Sequence, residues 1–495
     1  MKKLYESLLV IAIILLPAGF TLAQEQVSVR DRADELFRRY EYANAAKLYA
    51  HLVDTRRPRL LDLQRLAASY WLMNDYEAAE SWYARVVVHE ASTPEDRLAY
   101  ADALKVNGKY AEAKKQLQTY IDSTGDASRV SVQLAGCDSA IRWMAAPSHH
   151  RLRNEGEVNT ERSEFSAYAI QDQVYFVGEP ASSSSHGTYG WTGHAYLRVF
   201  SSPLSLAGTL GTPALAGTDL NNAKYHVGPV AGTANGDTLY VTRTHTGKRG
   251  EVRREGRKRY QTQKLALYSY RKVDGQWVEE PFTYSDPEKY SLGHAALAAD
   301  GATLYFSSDM PGGHGGTDIW YCERQPDATW GTPINAGPVI NSAGDELFPT
   351  IAPDGTLYYA SDGFAGMGGL DIFAAVGGKT QWTTSYNLGY PVNSAADDFA
   401  YLVVDADDNG FRGFLSSDRR GGKGGDDIYS FSYTEPKIVI ILQGTTSDQA
   451  SGERLPAATV TLYDGKREIV AKRSSDAAGT FEFILEIDQS YTVLG

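Results

Sequence analysis

The sequence has 495 residues, enough for three or four domains, and its 42% hydrophobic and 22% charged residues are typical of globular proteins. A formal net charge of −13 disfavours nucleic acid as a main partner, and 32 tyrosines with 47 glycines favour strands and turns over a helical enzyme. Only two cysteines, Cys137 and Cys322, are present, so no disulfide framework is expected and both should be buried or half-buried thiols.

Residues 1–23 have the pattern of a secretory signal peptide. Lys2 and Lys3 precede an apolar run over residues 8–16, and residues 21–23 offer a cleavage site. The run is too short for a spanning helix, and no later segment is apolar enough to be one. No cysteine stands near the cleavage site, so a lipid anchor is not indicated. We therefore expect an exported, soluble protein.

Residues 24–146 show helical periodicity with a repeat of 34 residues. Two-helix units of this length resemble tetratricopeptide repeats, and the segment 129–144 has the pattern of a capping helix. The resemblance implies a concave groove that binds peptides or proteins, and a rigid spacer is the alternative. The recurring sets are Tyr42, Tyr76 and Tyr110, then Ala45, Ala79 and Ala113, then Tyr49, Tyr83 and Leu117.

The segment 151–433 repeats one Gly-rich cassette three times, over residues 307–320, 360–373 and 416–429. Each copy has an aspartate after one strand and a second aspartate, nine residues later, that opens the next strand. A short carboxylate beside a Gly-rich bend can accept backbone N–H groups that the loop leaves unpaired, so we interpret these residues as loop staples. A catalytic carboxylate pair is the alternative. The pairs are Asp309 and Asp318, Asp362 and Asp371, and Asp418 and Asp427.

The flanks of the cassettes repeat as well. An Asn-x-Gly segment followed by a second asparagine and an acidic pair occurs at 335–346 and 387–398, and in degenerate form at 154–165. Inner strands are expected near residues 176, 240, 305, 358 and 414, in units with room for about four short strands each. The segment is therefore predicted to be a β-propeller, with five blades favoured and six possible.

Residues 243–259 form a basic insertion in an otherwise acidic chain. A solvated hairpin is one interpretation of this segment. The other is a docking site for an anionic partner, such as an acidic protein face or a cell-envelope polymer. The residues that would carry such binding are Lys248, Arg249, Arg253, Arg254, Arg257, Lys258 and Arg259.

No cofactor and no metal site is expected. The pair His149-His150 has no acidic residue or cysteine at ligand spacing. The segment 405–410 resembles the start of a calcium loop, but Ser416 stands where the acidic twelfth residue is required, so a hairpin turn is favoured.

Residues 436–495 show half-buried strands separated by short turns, which is typical of a small β-sandwich. The strand at 455–462 and the Asp-x-x-Gly-Thr-Phe-x-Phe segment at 476–483 resemble the carboxypeptidase regulatory-like domain, which implies no catalytic residues. At least one strand is missing from the pattern, so a truncated domain is expected.

This order of segments, a helical solenoid followed by all-β domains, resembles a Bacteroidetes envelope family of OmpA-type scaffolds that includes components of type IX secretion. The resemblance implies a periplasmic location in association with the outer membrane. It also implies that the tetratricopeptide groove and the propeller face bind envelope proteins. Peptidoglycan binding would need the C-terminal OmpA-like module of the family, which this sequence does not contain.

The leading hypothesis is therefore a non-enzymatic scaffold that links outer-membrane or type IX secretion proteins to the cell wall. A propeller that binds carbohydrate or a wall polymer is the alternative, because Trp191 and Tyr189, expected to be exposed on a Gly-rich loop, could stack on sugars. A propeller hydrolase is the third hypothesis. The sequence has no Gly-x-Ser-x-Gly segment and no His-Glu-x-x-His segment.

Overall fold

A computed structural model describes residues 27–181, 188–222, 224–246, 251–255, 258–378, 380–407, 409–435, 439–486 and 489–495. The chain divides into two compact units, one up to Tyr433 and one from Thr434 to Gly495. The expected signal peptide lies outside the described residues. Within those residues, no helix combines the length and the apolar character needed to cross a membrane.

The described part of the first unit begins with seven α-helices that pack in sequence order. Three antiparallel pairs are followed by a last helix, and the turn inside each pair has a residue with positive φ, which is a common way to end a helix. These turn residues, Tyr40, Asn74 and Gly108, keep the 34-residue interval. The helices are α1 (Val29–Arg38), α2 (Tyr42–Val53), α3 (Leu60–Leu72), α4 (Tyr76–Val87), α5 (Pro94–Val106), α6 (Tyr110–Thr124) and α7 (Ser131–Ala145).

The helical core follows the periodicity of the sequence. Ala45, Ala79 and Ala113 are fully buried, so that neighbouring helices approach closely at each repeat. Tyr49 and Leu117, one turn further on, are buried as well and fill the space between helix pairs.

In its described residues, the rest of the first unit contains five four-stranded antiparallel sheets and one two-stranded hairpin. The first sheet contains β2 (Glu164–Ile170), β3 (Gln173–Gly178), β4 (Arg198–Pro203) and β5 (Ala214–Leu215). The second contains β6 (Val227–Gly232), β7 (Thr238–Thr244), β10 (Leu265–Val273) and β11 (Gln276–Pro281). The third contains β12 (Leu292–Leu297), β13 (Thr303–Ser308), β14 (Asp318–Glu323) and β15 (Ile334–Asn335). The fourth contains β16 (Glu346–Ile351), β17 (Leu357–Ser361), β18 (Asp371–Gly378) and β19 (Gln381–Asn387).

The fifth sheet closes the ring. It joins β20 (Asp398–Asp407), β21 (Gly410–Ser417) and β22 (Asp427–Thr434) to β1 (His150–Asn154), which is the first strand in the chain. The first strands of the five sheets, β2, β6, β12, β16 and β20, contact one another in cyclic order, so they surround a common axis. The described residues thus form a propeller-like ring of five sheets, the smaller of the two numbers left open by the sequence.

The inner strands share a feature that the sequence pattern did not predict. Each has a bulge in its pairing with the second strand, and one residue inside that bulge has positive φ. At two of these positions the N–H donates to a hydroxyl of the preceding sheet: that of His294 to Thr242 at 2.9 Å, and that of Ser166 to Ser416 at 2.8 Å. The five residues are Ser166, Gly228, His294, Phe348 and Ala400.

Side-chain amides connect each sheet to the next. An asparagine lies before the inner strand of a sheet and pairs with one residue in the third strand of the preceding sheet. Its side-chain amide donates to the carbonyl of that residue and accepts from the N–H of the same residue. At the junction of the second and third sheets, Ser285 bonds to the backbone of Leu267 in the same way. The asparagine pairs are Asn159 with Ile428, Asn221 with Val199, Asn341 with Ile319, and Asn393 with Ile372.

The second unit contains two small antiparallel sheets in its described residues. Their shared core contains Val460, Leu462 and Phe483. One sheet pairs β23 (Ile440–Thr445) with β26 (Thr480–Leu485), and the other places β24 (Thr459–Tyr463) between β25 (Ile469–Ser474) and β27 (Thr492–Leu494).

Candidate functional site

The connections between the second and third strands of the five sheets leave the ring on one face, because the sheets occupy equivalent positions. In the third, fourth and fifth sheets these connections are the repeated cassettes. In the first sheet the connection runs from residue 179 to 197, and in the second it contains the hairpin of β8 (Glu251–Glu255) and β9 (Lys258–Thr262). We call this side of the ring the cassette face.

The second aspartate of each cassette is buried and holds its own loop. Asp318 accepts the N–H of His314 at 2.5 Å and of Gly315 at 3.2 Å. Asp371 accepts the N–H of Gly368 at 3.2 Å, and Asp427 accepts that of Lys423 at 2.5 Å. Burial raises the pKa of Asp371 to about 7, although nearby Lys105 acts in the opposite direction.

The first aspartate of each cassette connects the loop to the start of the inner strand in the same sheet. Asp362 accepts the N–H of Asp345 at 2.8 Å, and Asp418 accepts that of Asp397 at 2.7 Å. Asp309 accepts the N–H of Ser291 at 2.5 Å and also contacts Lys264. The cassette aspartates therefore bond to backbone N–H groups, which is the geometry of a staple.

The helices dock on the cassette face through the tyrosines that repeat every 34 residues. Tyr42 packs edge-on against Trp191, with ring centroids 4.9 Å apart. The hydroxyl of Tyr76 donates to Asp397 at 2.6 Å. Tyr110 belongs to an apolar cluster that includes Met367 of the fourth sheet. Each helix pair thus places its second helix, at its N-terminal end, on the ring.

The tightest part of this interface involves α7 and the cassette of the fourth sheet. Met367, which is 1% exposed, stands where the other two cassettes have polar residues, and it lies among Tyr110, Cys137 and other helical residues. A Cβ on Gly136 would come within 2.6 Å of the Gly366 carbonyl oxygen, so only glycine fits there. Lys105 donates to the Gly368 carbonyl at 2.8 Å.

Between Trp191 and Met367 the helices leave a cleft of about 980 Å³ above the ring. Turns of the helix pairs form one wall, and the loops of the fifth and first sheets form the other. The lining includes Met73, Val106, Trp191, Tyr390 and Pro391, together with six carboxyl groups, three guanidinium groups and His194. The cleft is therefore partly apolar and acidic on balance.

The guanidinium groups of the cleft are engaged in holding its walls. Arg419 forms an ion pair with buried Asp398 and donates to the Pro391 carbonyl at 2.9 Å. Arg420 forms an ion pair with Glu77 at 2.9 Å, across the boundary between helices and ring. Arg162 donates to the Ala181 carbonyl at 2.7 Å.

Asp418 and Asp426 line the floor of the cleft, and buried Asp397 lies beside them. The chain of contacts runs from the Tyr76 hydroxyl to Asp397 and from the Asp397 N–H to Asp418. Burial raises the pKa of Asp426 to about 7, and the charge of Asp397 adds to this. Burial also raises the pKa of Asp397 and, together with the charges of Asp397 and Asp426, that of Asp418.

The basic insertion predicted as a partner site is a two-stranded hairpin on the cassette face. The register places Arg253 opposite Tyr260 and Arg254 opposite Arg259, and Arg254 is exposed. The hairpin backbone also includes Lys258. Three of the predicted residues, Lys248, Arg249 and Arg257, lie outside the described residues.

The aromatic residues suggested as a sugar platform have structural contacts. The Trp191 indole N–H donates to the Leu72 carbonyl at 2.5 Å, and its ring packs against Tyr40 and Tyr42. Tyr189 packs on His226, with ring centroids 4.4 Å apart. Trp191, which the sequence analysis expected to be exposed, is half-buried because the helices cover part of it.

The sequence segments weighed for metals have other roles. His150 contacts the hydroxyls of Ser148 at 2.9 Å and Tyr401 at 3.0 Å, and burial lowers its pKa to about 4. Asp407 at the end of β20 pairs with Gly410 at the start of β21, so the two strands form a hairpin at the segment that resembles a calcium loop. Over the residues that the structure describes, no group of three or more His, Cys, Asp or Glu side chains could hold a metal ion.

No protein-family model and no curated protein matches this sequence. A puromycin-hydrolysing peptidase of Mycobacterium tuberculosis is similar over 52% of this chain and 35% of its own, with 14% identity and a TM-score of 0.28. The chain thus spans about a third of that peptidase. A protein of unknown function from Dyadobacter fermentans is similar over 58% of this chain and 98% of its own, with 12% identity and a TM-score of 0.35. An α-L-arabinanase of Penicillium chrysogenum is similar over 54% and 83%, with 10% identity and a TM-score of 0.31.

Sequence reasoning missed the cleft and its acidic floor. The signals were present in separate segments: the tyrosines at 34-residue spacing, and the acidic residues Asp397 and Asp426 beside the cassette repeat. Met367 was a further signal, because the third and fifth sheets have the polar residues His314 and Lys423 in the same part of their cassettes. The sequence alone gave no indication that these segments lie close together in the folded chain.

Proposed function

We propose that this chain is a non-enzymatic scaffold whose helices and propeller-like ring bind partner proteins together. The observation that carries the proposal is the docking of the helices through their repeated tyrosines. Tyr42 and Tyr76 hold two helix pairs on the cassette face and leave a partly apolar cleft of about 980 Å³ beneath them. This volume is within the range of ~300–1,000 Å³ that is usual for binding sites.

Two further features support binding over catalysis. The cassette aspartates bond to backbone N–H groups of their own sheets, so their role in loop structure accounts for their repetition. The hairpin of β8 and β9 stands on the same face and exposes Arg254 in an acidic chain. A partner with an acidic patch could therefore contact Arg254 on this hairpin while another segment enters the cleft.

The cellular setting is proposed from the resemblance of the sequence. We place the protein in the periplasm, associated with the outer membrane, where it would link envelope or type IX secretion proteins to the cell wall. Tetratricopeptide repeats and a carboxypeptidase regulatory-like sandwich are the domain types that this proposal assigns to residues 24–146 and 436–495. The 34-residue spacing and the two small C-terminal sheets support these assignments.

The test compares partner recovery by two matched charge reversals. Glu161 is exposed and lines the cleft, whereas Glu90 is exposed on the helical segment outside it. We expect envelope proteins recovered with the wild-type chain to be reduced by Glu161→Arg and unchanged by Glu90→Arg. Equal recovery by both variants would contradict the proposal. Glycan or peptide hydrolysis that is lost in Asp371→Asn while the fold persists would replace it with an enzyme.

A further inference from the structure

The cleft between the helices and the ring has an excess of carboxyl groups that remains after its ion pairs are counted. Arg419 is neutralised by buried Asp398, which does not line the cleft, and Arg420 pairs with Glu77. Arg162 donates to backbone carbonyl groups, so its guanidinium group has no carboxylate partner. Five carboxyl groups of the lining therefore remain against the single charge of Arg162. They belong to Asp75, Glu161, Glu179, Asp418 and Asp426.

Three of these carboxyl groups lie on the walls of the cleft. Glu161, which precedes β2, is exposed, and no described lysine or arginine forms an ion pair with it. The side chain of Glu179, after β3, is 8% exposed and contacts His194 at 3.1 Å. Asp75 caps α4 by accepting the Ala78 N–H at 3.2 Å. Carboxyl groups of both the helices and the first sheet thus face the same space.

The other two carboxyl groups form the floor and have only neutral partners among the described residues. Asp418 accepts the Asp397 N–H at 2.7 Å, and Asp426 bonds to Ser163. Burial raises the pKa of both floor carboxyl groups, and the negative charge of Asp397 raises it further. A guanidinium or ammonium group above the floor would relieve this repulsion.

The remaining lining favours a polypeptide side chain over a small inorganic cation. Met73, Tyr390 and Pro391 supply apolar surface beside the carboxyl groups. Lysine and arginine pack their hydrocarbon stems on such a surface while the charged end reaches a carboxylate, whereas a metal ion would use none of it. A cleft of about 980 Å³ also accommodates a segment of several residues.

We infer that the cleft binds a segment of a partner protein in which lysine or arginine residues are flanked by apolar residues. The charged ends would meet Glu161 on the wall and Asp418 or Asp426 on the floor, and the stems and apolar residues would pack on the lining around Met73 and Tyr390. The net charge of −13 would steer a basic segment toward the chain. This inference rests on the proposed function of the cleft and specifies the chemistry of its occupant.

Fluorescence anisotropy of labelled peptides with the full chain tests the inference. The probe is a nonapeptide that alternates arginine with leucine, and two control peptides replace the arginines by glutamine or by glutamate. We expect saturable binding of the arginine peptide that is weakened by salt, and binding of both controls that is about tenfold weaker or less. No saturable binding of the arginine peptide, or equal binding of the glutamine peptide, would overturn the inference.

Two charge-matched variants separate the cleft from a general attraction to an acidic chain. The cleft variant combines Glu161→Gln with Asp426→Asn, and the control combines Glu90→Gln with Asp54→Asn, at exposed positions that do not line the cleft. At pH 8 we expect the cleft variant to bind the arginine peptide about tenfold more weakly than wild type, and the control to change binding by less than about twofold. A thermal melt of each variant checks folding. Equal binding by the two variants would show that the peptide binds elsewhere.

The pH dependence of binding provides a second readout. Arginine keeps its charge over this range, whereas the pKa of Asp426 is raised to about 7, so the floor gains negative charge as pH rises. We expect the affinity for the arginine peptide to increase from pH 6 to pH 8, and to increase less in Asp426→Asn. Protonation of His194 would act in the same direction, so the comparison with this variant isolates the floor. The titratable groups that face Asp426 are Asp397, Asp418, Glu179 and the hydroxyl of Tyr76. An affinity that does not increase with pH would contradict the inference.

Failure of this inference can be distinguished from failure of the proposed function. The proposed function fails if partner recovery is the same for Glu161→Arg and Glu90→Arg. The inference alone fails if partner recovery depends on Glu161 while the glutamine peptide binds as well as the arginine peptide.

Discussion

The Asn341 side chain pairs with both backbone groups of Ile319 in the preceding sheet. Its Nδ2 donates to the Ile319 carbonyl at 3.0 Å and its Oδ1 accepts the Ile319 N–H at 2.8 Å. The same Nδ2 donates to Asn335 at 2.9 Å. The side-chain amide thus makes the same pair of hydrogen bonds that a strand residue makes with its neighbour, and it makes them between two sheets. The arrangement recurs at the other junctions, so side-chain hydrogen bonds of this kind help to hold neighbouring sheets together.

Replacing this asparagine should destabilise the ring. Asn341→Ala leaves the buried N–H of Ile319 without a partner, whereas the Ile319 carbonyl still accepts from the Ala336 N–H at 3.0 Å. We therefore expect a loss of about 1–3 kcal/mol in the free energy of unfolding. Chemical denaturation of the full chain measures it. Asn409→Ala, in the exposed turn between β20 and β21, is the control and should cost much less. Equal effects of the two substitutions would show that the amide has no such role.

The hydroxyl of Tyr76 should stabilise the helices on the ring. Tyr76→Phe removes the donor to buried Asp397, and we expect a cost of about 1–3 kcal/mol, as is usual when a buried acceptor loses its partner. The exposed Tyr386→Phe on β19 serves as the control. Hydrogen exchange should rise in α4 and near Asp397 in the Tyr76 variant. Unchanged exchange there would contradict the assigned contact.

At Gly136, helix propensity and the contact with the ring predict opposite effects of an alanine substitution on stability. Alanine normally stabilises a helix relative to glycine by roughly 0.5–1 kcal/mol. Gly136→Ala would instead push the new Cβ against the Gly366 carbonyl, so we expect destabilisation and faster proteolysis near residues 146–149. Gly217→Ala, where the added Cβ meets nothing, is the control. A more stable Gly136→Ala protein would show that α7 does not rest on this cassette.

The stability of the first unit should depend on pH through Asp426. Burial raises its pKa from the ordinary 3.8 to about 7, so between these pH values the folded chain binds the proton and the unfolded chain does not. The stabilisation that protonation provides is therefore present at low pH and lost as pH rises toward 7.

The variant Asp426→Asn isolates this effect. We expect the urea midpoint of Asp426→Asn, relative to wild type, to increase from pH 4 to pH 8. Taking the difference cancels the contributions of buried histidines such as His150 and His226, whose pKa values are lowered to about 4. Exposed Asp448 has a lowered pKa, so Asp448→Asn should show no such trend above pH 5. A pH-independent difference for Asp426→Asn would refute the buried-carboxyl interpretation.

Much of the architecture could be predicted from repetition in the sequence. The 34-residue interval in the helices and the recurrence of Asp318, Asp371 and Asp427 both reflect contacts that are repeated in space. Three of the asparagines between sheets were visible for the same reason. Asn221 could not be predicted because its flanks lack the Asn-x-Gly segment. Ser285 could not be predicted because a serine takes the place of the asparagine at that junction.

The remaining features depend on contacts between distant segments. Positive φ is unfavourable for residues such as His294 and Phe348, and no local sequence pattern predicts it. The two rings stack on each other near the axis of the ring, and this packing stabilises the unfavourable backbone conformation. Trp191 appeared free because its neighbours in sequence are polar, whereas its contacts come from Tyr42, about 150 residues earlier. The cleft exists only because the helices cross several sheets.

Site-specific photo-crosslinking tests the central claim, that the helices and the ring bind partners together in their shared cleft. A photoreactive residue at Glu161 would report from the cleft, and one at Glu90 from the helical surface outside it. In cells that produce the protein, we predict discrete crosslinks to partner proteins from position 161, lost when Gly136→Ala displaces the helices, and none of these species from position 90. Absence of crosslinks from position 161, or the same species from both positions, would contradict the account.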